Sequence, residues 1–217
     1  MNIALALNQI ADYPTLWVLW LLFGLSVLAL GLIIERSIVF YRTRVDVERM
    51  RHQLVEQLHA RDRDSAQHML VTSTGFEARI AAAALGAGGP EVARERIAAE
   101  SQLVKLDMER GLNFLATLGS NAPFIGLLGT VIGIVRAFRE LNQTLGQISS
   151  TLLSEIGEAL IATAIGLLVA LPAVAFFNAF NGLIRGRLQR GDSLSRHVME
   201  FLFEQQQTRT AGSVESV

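Results

Sequence analysis

Charge is distributed along the chain in blocks. No Asp, Glu, Lys or Arg occurs from Tyr13 to Ile34, from Gly111 to Val135, or from Ala159 to Ile184, runs of 22, 25 and 26 residues. An α-helix rises about 1.5 Å per residue and the hydrocarbon core of a bilayer is about 30 Å thick, so about 20 apolar residues span it. The pattern predicts transmembrane helices over 13–34, 111–135 and 159–184, and hence an all-α integral membrane protein. Outside the runs, apolar residues recur at helical steps on a charged background. Val47, Met50, Leu54 and Leu58 make one such stripe, and Leu194, Val198, Phe201 and Leu202 make another after the third run. These read as helices built for packing and assembly. Thr74 and Glu77 have the spacing of a T-x-x-E capping box before the Ala-rich stretch Ala78 to Leu85. Gly86, Gly88 and Gly89 end that helix, and Pro90 suits the first turn of the next. With no strong breaker before Gly111, that helix is expected to continue straight into the second span. The polar end, Gln205 to Val217, is expected to fray.

Charge sets the orientation. Residues 1–12 hold no Lys or Arg, which argues against a cleaved secretory signal and for a retained first helix. The segment 35–110 carries 12 basic residues, the tail 185–217 carries five, and 136–158 carries only Arg136 and Arg139. Basic residues stay on the cytoplasmic side. Residues 1–12 are therefore expected in the periplasm and 35–110 as a cytoplasmic helical loop. Residues 136–158 are a periplasmic loop with the start of the third helix, and 185–217 a cytoplasmic C-terminal helix and tail. Arg36, Arg42, Arg44, Lys105, Arg110, Arg185, Arg187 and Arg190, all near span ends, agree. The formal net charge of −1 gives no reason to expect nucleic-acid binding, and with no Cys there are no disulfides, Fe–S clusters or Cys-ligated zinc.

The spans differ in kind. On a helical wheel of the second, Gly119, Ala122, Pro123, Gly129, Thr130, Gly133 and Ala137 fall within roughly 60° of Gly126. Leu115 is the exception. Bulky Phe124, Leu128, Val131, Ile132 and Val135 lie opposite. On the third, Ala162, Glu155, Ala173, Gly166, Ala159, Ala170 and Thr163 fill an arc of roughly 140° that starts at Glu158. Small faces let helices approach closely, and they can also border a space that something else fills. The first span has no such face. It carries Trp17, Trp20, Leu21, Leu22 and Phe23, and reads as a lipid-facing outer helix. Two small-faced helices and one bulky helix suggest a homo-oligomeric ring, with spans two and three lining the axis. Gly126, Gly129, Gly133, Ala159, Ala162 and Gly166 are the expected small packing face.

Few polar groups lie at membrane depth. Thr130, Glu158 and Thr163 are the candidates, with Arg136 and Glu155 near the outer mouth. A carboxylate at the bilayer centre costs about 2.5–3.5 kcal/mol or more, so it usually faces a cavity and has a task. A hydroxyl both donates and accepts, and can relay a proton. Each group also has a plainer explanation. Glu158 can cap its helix. Either Thr can bond the carbonyl one turn back. Arg136 and Glu155 can simply be solvated. Pro123 and Pro172 are tolerated in membrane helices and are expected to kink them. No nucleophile–base pair, metal-ligand cluster or phosphate loop appears at membrane depth, so neither an enzyme nor a metal site is expected. His52, His59, His68 and His197 fall in charged helices, where solvation explains them.

Pro123-Phe124-Ile125-Gly126-Leu127-Leu128-Gly129-Thr130-Val131-Ile132-Gly133-Ile134, followed by Phe138, resembles the second-span motif of the ExbB/TolQ family. Glu158-Ala159-Leu160-Ile161-Ala162-Thr163-Ala164-Ile165-Gly166-Leu167, then Ala170-Leu171-Pro172-Ala173, resembles its third-span motif. The last half of the chain carries the resemblance, and the first half matches in layout only. It implies an inner-membrane subunit of a proton-driven motor, a homopentamer around a dimer of a single-span ExbD/TolR-like partner. Work passes to a TonB-like protein for uptake across the outer membrane, or to a TolA-like protein for envelope constriction. Thr130, Glu158 and Thr163 match the family's pore-lining polar positions, and the partner's membrane aspartate would be the main proton carrier. Protons are the coupling ion and no cofactor is implied. Arg136, Arg139 and Glu155 depart from the pattern and put charge of both signs at the pore mouth. Gly157 replaces a usual Ala. A MotA-like flagellar stator would have four spans against the three in this chain. A purely structural scaffold, in which the small faces only pack, is the remaining alternative.

Overall fold

The computed structural model describes residues 16–143 and 150–214. The segment 1–12 assigned to the periplasm lies outside the described residues, as do 13–15, 144–149 and 215–217. Among the described residues there are helices and short connections, and no strand. The helices are α1 (Leu16–Arg42), α2 (Val47–His59), α3 (Arg63–Thr72), α4 (Phe76–Leu85), α5 (Pro90–Glu109), α6 (Leu112–Gln143) and α7 (Ser150–Val214). Three of them, α1, α6 and α7, are long and apolar enough to cross a membrane, which makes the chain a multi-pass membrane protein. Pro123 and Pro172 sit inside unbroken helices. The chain divides into two compact units, and α1 and α7 contribute to both.

The first unit holds residues 16–35, 111–143 and 150–179. In α1 one stripe is buried (Val18, Leu22, Ala29 and Ile33), at steps that return to one side of a helix. The rest is open: Trp20 is 71% exposed, and Trp17, Leu21, Phe23, Val27 and Leu28 are exposed with it. Leu22 is thus an inward residue, unlike its aromatic neighbours. Helices α6 and α7 follow the same division. Phe124, Leu128, Val131 and Phe138 on α6, and Leu160, Leu168 and Leu171 on α7, point outward. An apolar exterior of this kind is stable in lipid.

The second unit holds residues 36–110 and 180–214. Its core joins the two stripes read from sequence. Met50, Leu54 and Leu58 of α2 and Leu194, Val198, Phe201 and Leu202 of α7 are buried in one cluster, with Leu70 of α3 and the alanines of α4. Asp46 and Asp62 cap α2 and α3, accepting from the backbone N–H groups of Arg49 (3.2 Å) and Ser65 (3.1 Å). The Thr74–Glu77 capping box does not form. The N-cap of α4 is Gly75, with no side-chain bond to the helix. A Cβ on Gly75 would lie 2.5 Å from Val45 Cγ2, so only glycine fits this approach. Glu77 is buried, with Oε2 3.5 Å from the Cβ position of Gly75, and it pairs through Oε1 with Arg190 at 3.4 Å. A glycine of α7 is equally close-fitted, since a Cβ on Gly191 would lie 2.7 Å from Ile80 Cδ1 and 3.4 Å from Glu77 Cα. The polar end does not fray at Gln205: the backbone stays helical to Val214.

Arg187, only 5% exposed, closes the end of α1. Its guanidinium donates to the carbonyls of Phe40 (2.6 Å) and Thr43 (3.1 Å) and to Thr43 Oγ1 (2.6 Å). It also lies 5.2 Å and 5.6 Å from the ring centres of Phe40 and Phe76. A helix leaves its last carbonyls unsatisfied and carries partial negative charge there, so a fork-shaped cation is an effective cap.

The expected straight run from α5 into the second span is interrupted. Helix α5 ends at Glu109, and Gly111 has φ +80° before α6 begins at Leu112. That left-handed backbone is open to glycine at little cost, and it breaks the hydrogen-bond ladder.

Candidate functional site

Every predicted polar group at membrane depth lies on α6 or α7, and the small residues bring these helices together. A Cβ built on Gly126 would lie 2.8 Å from the Ala162 carbonyl oxygen, 3.0 Å from Thr163 Cα and 3.2 Å from Gly166 Cα. A Cβ on Gly166 would lie 2.7 Å from the Ala122 oxygen, and one on Gly133 would lie 2.5 Å from Ala159 Cβ. Gly119 meets Val174 in the same way. Higher numbers on α6 meet lower numbers on α7, so the helices run antiparallel. Gly129 is buried in the same row. Of the face identified as Gly126, Gly129, Gly133, Ala159, Ala162 and Gly166, all but Gly129 are shown meeting in a helix–helix seam within one chain. Close backbone approach multiplies dispersion contacts, which lipid tails cannot supply between bulky helices.

The polar groups fall at the edges of this seam. Ala159, Ala162, Gly166, Ala170 and Ala173 are buried, whereas Glu158 and Thr163, at the two borders of the arc, are half-buried. Thr130 is half-buried too, and its hydroxyl donates to the Leu127 carbonyl at 2.7 Å. This is the local bonding that lets a Thr sit in a membrane helix. Thr163 differs: its Oγ1 is buried and has no hydrogen-bond partner among the described residues. Glu158 likewise makes no hydrogen bond or ion pair with the described residues. The seam thus brings Thr163 against the Gly126 turn of α6, and it leaves Thr130 occupied by its own helix.

Arg136 and Glu155 are not solvated charges. Arg136 Nη2 lies 2.6 Å from Glu155 Oε1, tying α6 to α7, with the two side chains 26% and 14% exposed. The second carboxylate oxygen, Glu155 Oε2, is buried without a hydrogen-bond partner. Gly133 explains the proximity. It lets α6 come so near that its Cβ position lies 3.2 Å from the Glu155 carbonyl, and Arg136 is one turn further along α6. Among the described residues no group of three or more His, Asp or Glu side chains is placed to hold a metal.

Comparison with known proteins agrees with these two helices. Residues 67–192 match the MotA/TolQ/ExbB proton channel family. The chain is similar to the biopolymer transport protein ExbB of Salmonella typhimurium, 33% identical over 71% of this chain and 68% of that protein. It is also similar to ExbB of Xanthomonas campestris pv. campestris, 40% identical over 43% of this chain, and that match spans only 37% of the relative. The Tol-Pal system protein TolQ of Pseudomonas aeruginosa is 50% identical over 34% of this chain and 32% of its own length. A family match that runs from α3 to Asp192 of α7, through all of α6 and the α6–α7 seam, shows that the chain belongs to the MotA/TolQ/ExbB proton channel family.

Proposed function

We propose that this chain is an ExbB-like subunit of a motor driven by the proton-motive force, seated in the inner membrane with its N-terminus periplasmic and its C-terminus cytoplasmic. Several copies, five by family resemblance, form a ring around an ExbD-like partner dimer. That partner's movement energises a TonB-like protein and through it transport across the outer membrane. The observation that carries this reading is the seam: two antiparallel glycine-faced helices present Glu158, unpaired, and Thr163, with an unsatisfied hydroxyl, at membrane depth. A buried polar atom without a partner costs about 1–3 kcal/mol. A scaffold would have no reason to retain the one at Thr163. In the motor, Glu158 and the hydroxyls of Thr130 and Thr163 hand protons to and from an acidic side chain of the partner. One charge crossing 100 mV releases about 2.3 kcal/mol, so a few protons drive a conformational step of ordinary size.

The test is substitution in the source organism. Glu158→Ala and Thr163→Val should leave the protein in the membrane at normal amount and in its oligomer, yet abolish energised uptake of ferric chelates. Full uptake with both variants would overturn the reading. The similarity to TolQ supports a second output, a TolQ-like role in envelope constriction through a TolA-like protein. Deleting the gene separates the two. Loss of chelate uptake marks the ExbB-like role, and sensitivity to detergents marks the Tol-like one.

A further inference from the structure

Two carboxylates stand one turn apart on α7, and among the described residues only Glu155 has a cation. We infer that the Arg136–Glu155 ion pair is a neutralising device. Glu155 occupies Arg136 so that this guanidinium cannot take Glu158, and Glu158 stays free to exchange protons. The inference rests on the proton-driven reading above.

The geometry makes Glu155 the default partner of Arg136 and Glu158 the alternative one. Positions i and i+3 of a helix are neighbours, about 5–6 Å apart at Cβ. Glu155 and Glu158 have that spacing, and both border the face that α7 presents to α6. Arg136 reaches across the seam to Glu155 at 2.6 Å, and an Arg side chain is long and flexible enough to serve either carboxylate. Pairing with a guanidinium favours the charged form of any carboxylate. A Glu158 held in that way could not cycle. The charged groups on the two packed helices at this level are Arg136, Arg139 and Glu140 on α6 and Glu155 and Glu158 on α7. Arg139 and Glu140 have interactions of their own, so the contest is between the two α7 carboxylates for Arg136. Glu155 wins it because Gly133 brings the α7 backbone in at its level. Neither residue is a proton carrier in this scheme; both are positioning residues that act through Glu158.

The test is a suppressor experiment in cells. The measured quantity is the rate of whichever process deletion of the gene abolishes, chelate uptake or detergent resistance, per amount of protein in the membrane. Glu155→Gln orphans Arg136, which then moves to Glu158. The rate should fall at least about tenfold, the low end for a guanidinium set beside a carboxylate. Adding Arg136→Gln to that variant removes the competing cation, and the double variant should regain a rate within about threefold of the wild type, a residue of the packing change. A proton-carrying Glu155 predicts that the double variant works no better than Glu155→Gln. A merely structural ion pair predicts that Arg136→Gln alone, which orphans Glu155, loses as much rate as Glu155→Gln, whereas the neutralising role predicts that Arg136→Gln alone keeps a rate within about threefold of the wild type. Either contrary result, or full activity of Glu155→Gln alone, overturns the inference. Glu158→Gln is run beside them. If it keeps full activity, the proton-driven reading has failed at Glu158. If it is inactive and suppression is absent, only the neutralising role of the ion pair has failed.

Discussion

Adding one methyl group to Gly126 should separate α6 from α7. The new Cβ would sit 2.8 Å from the Ala162 oxygen, 3.0 Å from Thr163 Cα and 3.2 Å from Gly166 Cα. Carbon pairs are comfortable at about 3.5–4.0 Å. All three obstacles are backbone atoms or attached to it, so no rotamer change relieves them, and the helices must move apart by several tenths of an ångström. Overpacking of this kind costs about 1–3 kcal/mol. The better helix propensity of Ala returns at most about 1 kcal/mol. Gly126→Ala should therefore destabilise the membrane unit by up to about 2 kcal/mol, net of these two effects. Gly24 and Gly31 of α1 supply the control, since a Cβ there meets nothing within 4 Å of the same chain. Alanine at either should be neutral or mildly stabilising. Unfolding of the purified protein by SDS in mild-detergent micelles, at fixed protein-to-detergent ratio, measures the difference. Gly126→Ala and Gly31→Ala shifting stability equally and in the same direction would refute the close approach.

Arg187→Met removes three hydrogen bonds from the end of α1 and leaves the Phe40 carbonyl without its cap. The second unit should lose about 2–4 kcal/mol in thermal or urea unfolding, and Arg187→Lys should recover little of it, because an ammonium cannot fork between two carbonyls. Arg79 bridges Glu100 and Asp107 at 2.9 Å each, which raises its already high pKa through the Asp107 and Glu100 hydrogen bonds. Being half exposed, it should contribute less than about 1 kcal/mol on Arg79→Ala, and that small effect should vanish in high salt. Asp62 is held below the usual carboxylate range by its hydrogen bonds to Ser65. Its contribution to α3 is present above the unfolded pKa and is lost as pH falls through the lower folded one. Amide exchange at Ser65, corrected for the intrinsic rate, should accelerate there in the wild type and show no such step in Asp62→Ala.

Periodicity exposed most of this fold, because burial is the property that periodicity reports. The Met50–Leu54–Leu58 and Leu194–Val198–Phe201 stripes are buried in one core, and Gly119, Ala122 and Gly133, placed near Gly126 on the wheel, meet α7 with it. What one helix at a time cannot show is its register against another. Arg136 and Glu155 read as separate charges until Gly126 is set against Gly166 and Gly133 against Ala159. The antiparallel count then places them together, so the glycines themselves held the missing signal. Arg187 had no such signal. It counted only as one more basic residue beyond the third span, while its role comes from Phe40 and Thr43, far away in sequence. The capping box failed for a related reason. Local rules gave Glu77 to its own helix start, and tertiary contact gave it to Arg190.

The seam also decides which substitution speaks most directly to the proposed motor. The small residues of α6 and α7 face each other, so any passage between copies of this chain must be bordered by the flanks of the pair. Glu158 and Thr163 lie on opposite flanks of the α7 arc, about 140° apart by helical geometry. They therefore cannot both be explained by one open side. Thr163 is the more informative. Its Cα packs against the Gly126 turn and its buried hydroxyl bonds to no described residue, whereas the Thr130 hydroxyl is taken by Leu127. Valine has nearly the same shape as threonine, and removing an unsatisfied buried hydroxyl should leave stability unchanged or raise it by about 1 kcal/mol. Thr163→Val should thus unfold in SDS at or above the wild-type midpoint and still assemble. If it also stops uptake, packing cannot account for the loss, and the hydroxyl itself takes part in coupling. If uptake continues, the seam needs only the shape of the side chain, and Thr163 has no place on the proton path.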